Sequence, residues 1–144
     1  MNKPLNQSVA LVIEDDNGGF LVVKRDENDD SLPGVWGLPA ASLRPGETVE
    51  DAAARAGRDK LGVTVKIADF IGDKRGDEGN RFNHLREYRA EIIEGTPSVP
   101  QPDRSVSQYA EVRYTADPTV LFDAARQGSL CSQIYLRELG VSWS

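Results

Sequence analysis

Residues 37–47 read Gly37-Leu38-Pro39-Ala40-Ala41-Ser42-Leu43-Arg44-Pro45-Gly46-Glu47, and the chain then runs from Thr48 to Gly62-Val63. Pro39, Pro45 and Gly46 punctuate the first part as a loop. Thr48 is a good N-cap, and Glu50 and Asp51 fall in the first turn, where the helix dipole favours negative charge. Ala52, Ala53, Ala54 and Ala56 carry high helix propensity, and Gly62 after Leu61 is a C-terminal stop. Gly57 inside the run costs ~1 kcal/mol relative to alanine. A tight Gly-Pro loop feeding an acidic helix can hold a hydrated divalent cation beside a diphosphate. Magnesium takes oxygen ligands and bridges carboxylates to phosphates, and acids at i, i+3 and i+4 share one helical face.

Upstream, Ser8-Val9-Ala10-Leu11-Val12-Ile13 is apolar and β-branched and predicts a buried strand. Asp15 to Gly19 is turn chemistry, with Phe20 to Lys24 expected as its hairpin partner. Residues 26 to 34 predict an acidic surface loop, and Val35 to Leu38 a short strand stopped by Pro39. Downstream, Val63 to Phe70, Leu85 to Ile93 and Glu111 to Thr115 alternate as strands do. A loop with Pro97, Pro100 and Pro102 separates the last two. Thr119 to Gln127 and Ser132 to Leu139 predict helices. The order is mixed, which predicts an α+β or α/β/α architecture.

The 144 residues predict one domain over 1–144, with enough chain for a core that needs no disulfide or structural metal. Seventeen basic against 23 acidic residues leave a net charge of −6. That sign repels duplex nucleic acid and anionic lipid, so neither is an expected partner. The longest apolar run, Val9 to Ile13, is far short of the ~20 residues that span a bilayer. Met1-Asn2-Lys3-Pro4 lacks the apolar stretch of an export signal, and the single Cys131 suits a reducing compartment, so the expected location is cytoplasmic. One histidine and one cysteine exclude zinc-finger clusters.

The 37–63 segment resembles the box of the Nudix family, Gly-x5-Glu-x7-Arg-Glu-(apolar)-x-Glu-Glu-x-Gly-(apolar). Laid on the chain from Ala41, the box puts Glu47, Arg55, Gly62 and Val63 in register without a gap. Trp36-Gly37-Leu38-Pro39 is similar to the family's lead-in and Glu111-Val112-Arg113-Tyr114 to its late strand. The resemblance implies a Nudix-like α/β/α sandwich with a mixed β-sheet. It also implies a hydrolase for a nucleoside diphosphate linked to another group, a nucleotide sugar among the candidates, using Mg2+ or Mn2+.

The box is degenerate. Ala41 replaces its first glycine, Ala56 the glutamate after the arginine, and Gly57 an apolar residue. Asp59 and Lys60 replace the paired glutamates that bind metal in the family. Glu47 and Asp59 therefore supply two negative charges where a full box has four, and Lys60 cancels one. Two unit charges ~4 Å apart interact by ~4 kcal/mol at an effective dielectric of 20, so weak metal binding is expected. Glu47, Arg55 and Asp59 are the expected catalytic group, with Arg55 orienting Glu47. Glu47, Asp59 and Glu111 are the expected metal ligands. Lys60, Arg81, Arg86, His84 and Tyr109 are the expected substrate contacts, Lys60 as a cation standing where the metal should be. Each has a plainer alternative: Glu47 a helix N-terminal acid, Lys60 a snorkelling surface lysine, His84 a packed core histidine.

Short matches at Asn83-His84-Leu85, at Gln108 to Tyr114 and at Cys131 to Leu136 resemble GDP-mannose mannosyl hydrolases. That subfamily has a histidine base where this chain has Tyr109, whose ordinary pKa of ~10 makes it a poor base near neutrality. The competing class is an inactive Nudix-fold module that binds a nucleotide or a protein. A homodimer is compatible with either reading.

Overall fold

Five consecutive apolar residues, Val9 to Ile13, set the middle of the structure. The computed structural model describes residues 3–27, 32–103 and 105–143. Strand β1 (Leu5–Val12) runs between β4 (Ala40–Ser42), antiparallel to it, and β6 (Phe82–Glu94), parallel to it. The long strand β5 (Thr64–Asp77) closes that sheet beside β6, giving the order β4-β1-β6-β5. A second, antiparallel sheet orders β3 (Trp36–Gly37), β2 (Phe20–Arg25) and β7 (Tyr109–Thr115). Both edges of β1 are occupied and Val9 to Val12 are wholly buried, which is why this stretch reads as an unbroken apolar run.

Strand alternation splits the core in two. Val9, Leu11 and Ile13 pack with Ala52, Ala53 and Leu61, on the side of helix α1 (Val49–Ala56). Ala10 and Val12 face the opposite way, toward Ala125, Ile134, Tyr135 and Leu136. Those residues belong to α2 (Phe122–Arg126) and α3 (Leu130–Glu138). Helices therefore cover both faces of a mixed sheet, the expected α/β/α architecture. No helix among the described residues is long and apolar enough to cross a membrane.

Thr48 caps α1 as its sequence predicts. Its hydroxyl accepts from the Asp51 backbone N–H, and the Asp51 carboxylate accepts from the Thr48 N–H, both at 3.1 Å. The alanines at 52, 53 and 56 are buried and let the helix approach the strands closely. At Gly57 the chain changes to a π-helical turn, Gly57–Leu61, which carries Asp59 and Lys60. A Cβ at Gly57 would lie 3.0 Å from Val65 Cγ2, so glycine here serves packing against β5. Gly62 ends the turn at φ +72°, a left-handed cap suited to glycine.

Two expectations need correction. Asp15 does build a tight turn, accepting from the N–H groups of Asn17 and Gly19. The strands it joins share only the isolated Glu14–Phe20 bridge before they diverge into different sheets, because β4 and β6 already hold both edges of β1. Residues 40–42, expected as loop, form β4, a three-residue edge too short to show a period. The acidic loop expected over 26 to 34 falls partly on residues 28–31, which lie outside the described residues, as do Met1 and Asn2 of the expected leaderless start.

Candidate functional site

Glu47 sits in the turn before α1 and is held from three directions. Its Oε1 accepts from the Arg44 backbone N–H at 2.7 Å and from Arg55 Nη2 at 2.9 Å, and its Oε2 accepts from Arg55 Nε at 2.9 Å. Arg55, 7% exposed, spends a further N–H on the Ser42 carbonyl at 2.6 Å. This bidentate fork pins the loop 42–47 to α1. The Arg55 bond, then the Arg44 N–H, pull the Glu47 carboxyl down to about 2. Glu47 in turn raises the Arg55 guanidinium, with a smaller Coulombic contribution from Asp59. The clamp fixes the Glu47 carboxylate and also occupies it.

Lys60 leaves the π-helical turn toward β4. Its Nζ donates to the Ala40 carbonyl at 2.9 Å and lies 5.2 Å from the Tyr109 ring centroid. The Tyr109 hydroxyl accepts from the Ala40 N–H at 3.0 Å, so Tyr109 supports both the strand and the ammonium. Asp59, the adjacent box position, pairs with Arg58 Nε at 3.0 Å.

Lys60, with Ala40, Ala41 and Ser42, lines a cleft of about 890 Å³ that extends along the ends of β1 and β6 to the loop before α3. Arg25, Arg81, Asn6, Ser8, Asn83, Leu85 and Cys131 line it too. Of the residues expected to touch substrate, Lys60 and Arg81 are therefore in the cleft, Arg81 paired with Glu78 at 2.7 Å. His84 and Arg86 are not. They alternate with Asn83 and Leu85 and so lie on the α1 side of β6. His84 Nε2 meets Asp73 Oδ2 at 2.6 Å and lowers that carboxyl, while Arg86 donates to Gln7 Oε1 at 2.9 Å. Tyr109 reaches the site only through Ala40 and Lys60. Lys74 goes to Gln133 and Arg89 to Glu14 and Glu138.

The expected metal ligands do not converge. Among the described residues no three His, Cys, Asp or Glu side chains come together to hold an ion. Glu47 is committed to the clamp. Glu111 faces Lys24 across the β2–β7 pair at 3.4 Å with its side chain 58% exposed. Lys60 brings an ammonium to the Ala40 carbonyl, an oxygen of the kind a hard cation would use. Among the described residues, then, no carboxylate set stands ready at this wall for a divalent ion.

Two features escaped sequence reasoning. Asn83 Oδ1 accepts from Asn6 Nδ2 and Ser8 Oγ, each at 3.0 Å, a network that depends on the parallel β1–β6 register. Glu87 follows Asn83 and Leu85 on the same face of β6. It is wholly buried with neither carboxyl oxygen hydrogen-bonded, and burial pushes its carboxyl well above the usual range.

The NUDIX domain family model matches residues 4–123. The nucleoside triphosphatase NudI of Enterobacter sp. (strain 638) is 33% identical over 61 residues, 42% of this chain and 43% of that protein. The CTP pyrophosphohydrolase of Escherichia coli (strain K12) is 26% identical over 88 residues, 61% of this chain and 64% of that one. The matched stretch thus spans less than two thirds of the length of either relative. Among solved structures, a MutT protein from Methanosarcina mazei Go1 superposes with a TM-score of 0.75 at 18% identity, over 97% of this chain and 96% of that one. A MutT NUDIX hydrolase from Burkholderia pseudomallei gives 0.66 at 26% identity, over 79% and 84%.

Proposed function

The chain belongs to the NUDIX domain family, and from that premise we propose that residues 1–144 act as one Nudix hydrolase domain with a degenerate box. Its substrate is a small nucleoside phosphate, either a nucleoside triphosphate or a diphosphate bearing another group such as a sugar. The cleft is of the size that encloses such a molecule. The observation that carries this reading is Lys60. An ammonium has three N–H donors, of which one is spent on Ala40 and two remain for phosphate oxygens at the cleft wall.

In this reading the clamp and the charge chemistry have separate owners. Glu47 and Arg55 hold the 42–47 loop against α1 and so fix Ala40 and Ala41. Lys60 meets the negative charge of the phosphates, which otherwise repels an attacking water. Hydrolysis adds water across one P–O or sugar–O bond and leaves the phosphate end on Lys60. A second reading, a nucleotide-binding module without turnover, is favoured by the absence of any three-carboxylate group among the described residues.

A panel of nucleoside triphosphates and nucleotide sugars, assayed for new phosphate ends and free sugar, separates the two. The expected result is turnover that falls at least tenfold in kcat/KM for Lys60→Ala. Turnover untouched by Lys60→Ala would remove its assigned role. Nucleotide binding without turnover across the panel would leave the module.

A further inference from the structure

Asn83 is 7% exposed and lines the cleft two strands away from β4. Its carboxamide is fixed from one end. Oδ1 accepts from Asn6 Nδ2 and from Ser8 Oγ, and Asn6 is itself anchored on Ser42 Oγ at 3.1 Å. A carboxamide oxygen has two lone pairs, so both are used. The Nδ2 group has no acceptor among the described residues. Fully buried side-chain polar atoms without a partner occur, among those residues, only on Glu87. Nδ2 therefore reaches accessible space, and the space that Asn83 lines is the cleft.

We propose that Asn83 is the base-reading residue of this cleft, a donor-only carboxamide that selects nucleobases carrying a carbonyl oxygen over adenine. The inference rests on the nucleoside phosphate reading of the cleft. An asparagine pairs with adenine by using both ends, its oxygen accepting from the exocyclic amine and its NH2 donating to a ring nitrogen. Asn6 and Ser8 close the first half of that pairing. What remains is an NH2 that suits the carbonyl oxygen of cytosine, uracil or guanine, whereas an adenine ring nitrogen set on it brings the exocyclic amine against an Oδ1 whose lone pairs are already taken. Leu85 and Leu130 supply apolar surface beside it for the faces of a ring.

The separation from the phosphate end is consistent. Asn83 pairs in register with Asn6, whereas Ala40 pairs with Ala10, which pairs with Glu87. Four residues along β6 and two strand spacings across the sheet put Asn83 and Ala40 roughly 16 Å apart on the Cα grid. An extended nucleotide with its phosphates on Lys60 bridges that span once side-chain reach is subtracted.

The test is equilibrium binding of cytidine, uridine, guanosine and adenosine 5′-monophosphates to the full chain, with kcat/KM for the four triphosphates alongside. The expected result is adenosine monophosphate binding about tenfold more weakly than the other three. Asn83→Asp replaces the donor by an acceptor while leaving an oxygen for Asn6 and Ser8. It should collapse the ratio, whatever its effect on absolute affinity. Ser8→Ala frees one lone pair of Oδ1 and should narrow the ratio by strengthening adenosine binding alone. Equal or tighter adenosine binding by the wild type would overturn the proposal, as would a ratio unchanged in folded Asn83→Asp. If the ratio holds and no triphosphate is hydrolysed, the base reading stands and the hydrolase reading falls. Equal kcat/KM across four hydrolysed triphosphates does the reverse.

Discussion

Glu47→Gln is the substitution that a family-based reading would use to test catalysis, and the structure makes it a stability experiment first. The wild-type carboxyl is held at about 2 against an ordinary 4.5. That difference corresponds to about 3 kcal/mol of native-state preference for the ionised form. With the Glu47 side chain 18% exposed, solvent screening brings the usable part to roughly 2 kcal/mol. Glutamine preserves an acceptor for one donor but presents an amide NH2 where a second is needed. Arg55, 7% exposed, then loses one arm of its fork and faces an NH2 with a buried N–H. The sign follows from the lowered pKa. The contribution is fully present above the unfolded value of 4.5 and is lost as pH falls toward about 2. Urea denaturation should therefore show Glu47→Gln less stable by about 2 kcal/mol at neutral pH, shrinking to under ~1 kcal/mol near pH 3. A difference that stays constant over that range would refute the clamp. Lost turnover in this variant is uninformative about catalysis unless stability is measured with it.

Lys60→Glu exchanges the ammonium at Ala40 for a carboxylate beside Asp59, so Mn2+ binding followed by EPR should strengthen at least tenfold over the wild type. Unchanged Mn2+ affinity would show that the residue at position 60 does not set the charge of this wall. Glu87→Leu removes a wholly buried, unpartnered carboxyl and should stabilise the fold by about 1–2 kcal/mol at neutral pH. Because the folded pKa of Glu87 is raised, its contribution is fully present below the unfolded value of 4.5 and is lost as pH rises through the folded one. The gain should grow from pH 4.5 upward, and a pH-independent gain would count against a titrating Glu87.

The parts of the fold that could be read from the chain are those with local causes. Thr48, Asp51 and Gly62 fix the ends of the 48–62 segment through bonds made within a few residues of themselves. Val9 to Ile13 announces a central strand because both of its faces are buried. The parallel partnership of β1 with β6 is different, since it joins Asn6 to Asn83 across 77 residues and no local period reports it. The candidate site divides along the same line. Glu47–Arg55 lies within one turn and helix and was legible. The separation of His84 from Asn83 onto opposite faces follows from strand alternation, yet which face holds the cleft depends on where α1 and α3 dock.

The retained and altered positions of the box sort by physical role. Glu47, Arg55 and Gly62 answer to geometry: a fork that ties loop to helix and a left-handed cap. Ala56, Asp59 and Lys60 answer to charge, and here the family's acids are thinned or reversed. Keeping the fork while placing a supported ammonium at the Ala40 carbonyl, inside a cleft with further cations, is a coherent arrangement for an anion. In the proposed reading the phosphate charge is met from the chain itself, by a Lys60 ammonium whose position is set by Tyr109 and β4 before any ligand arrives.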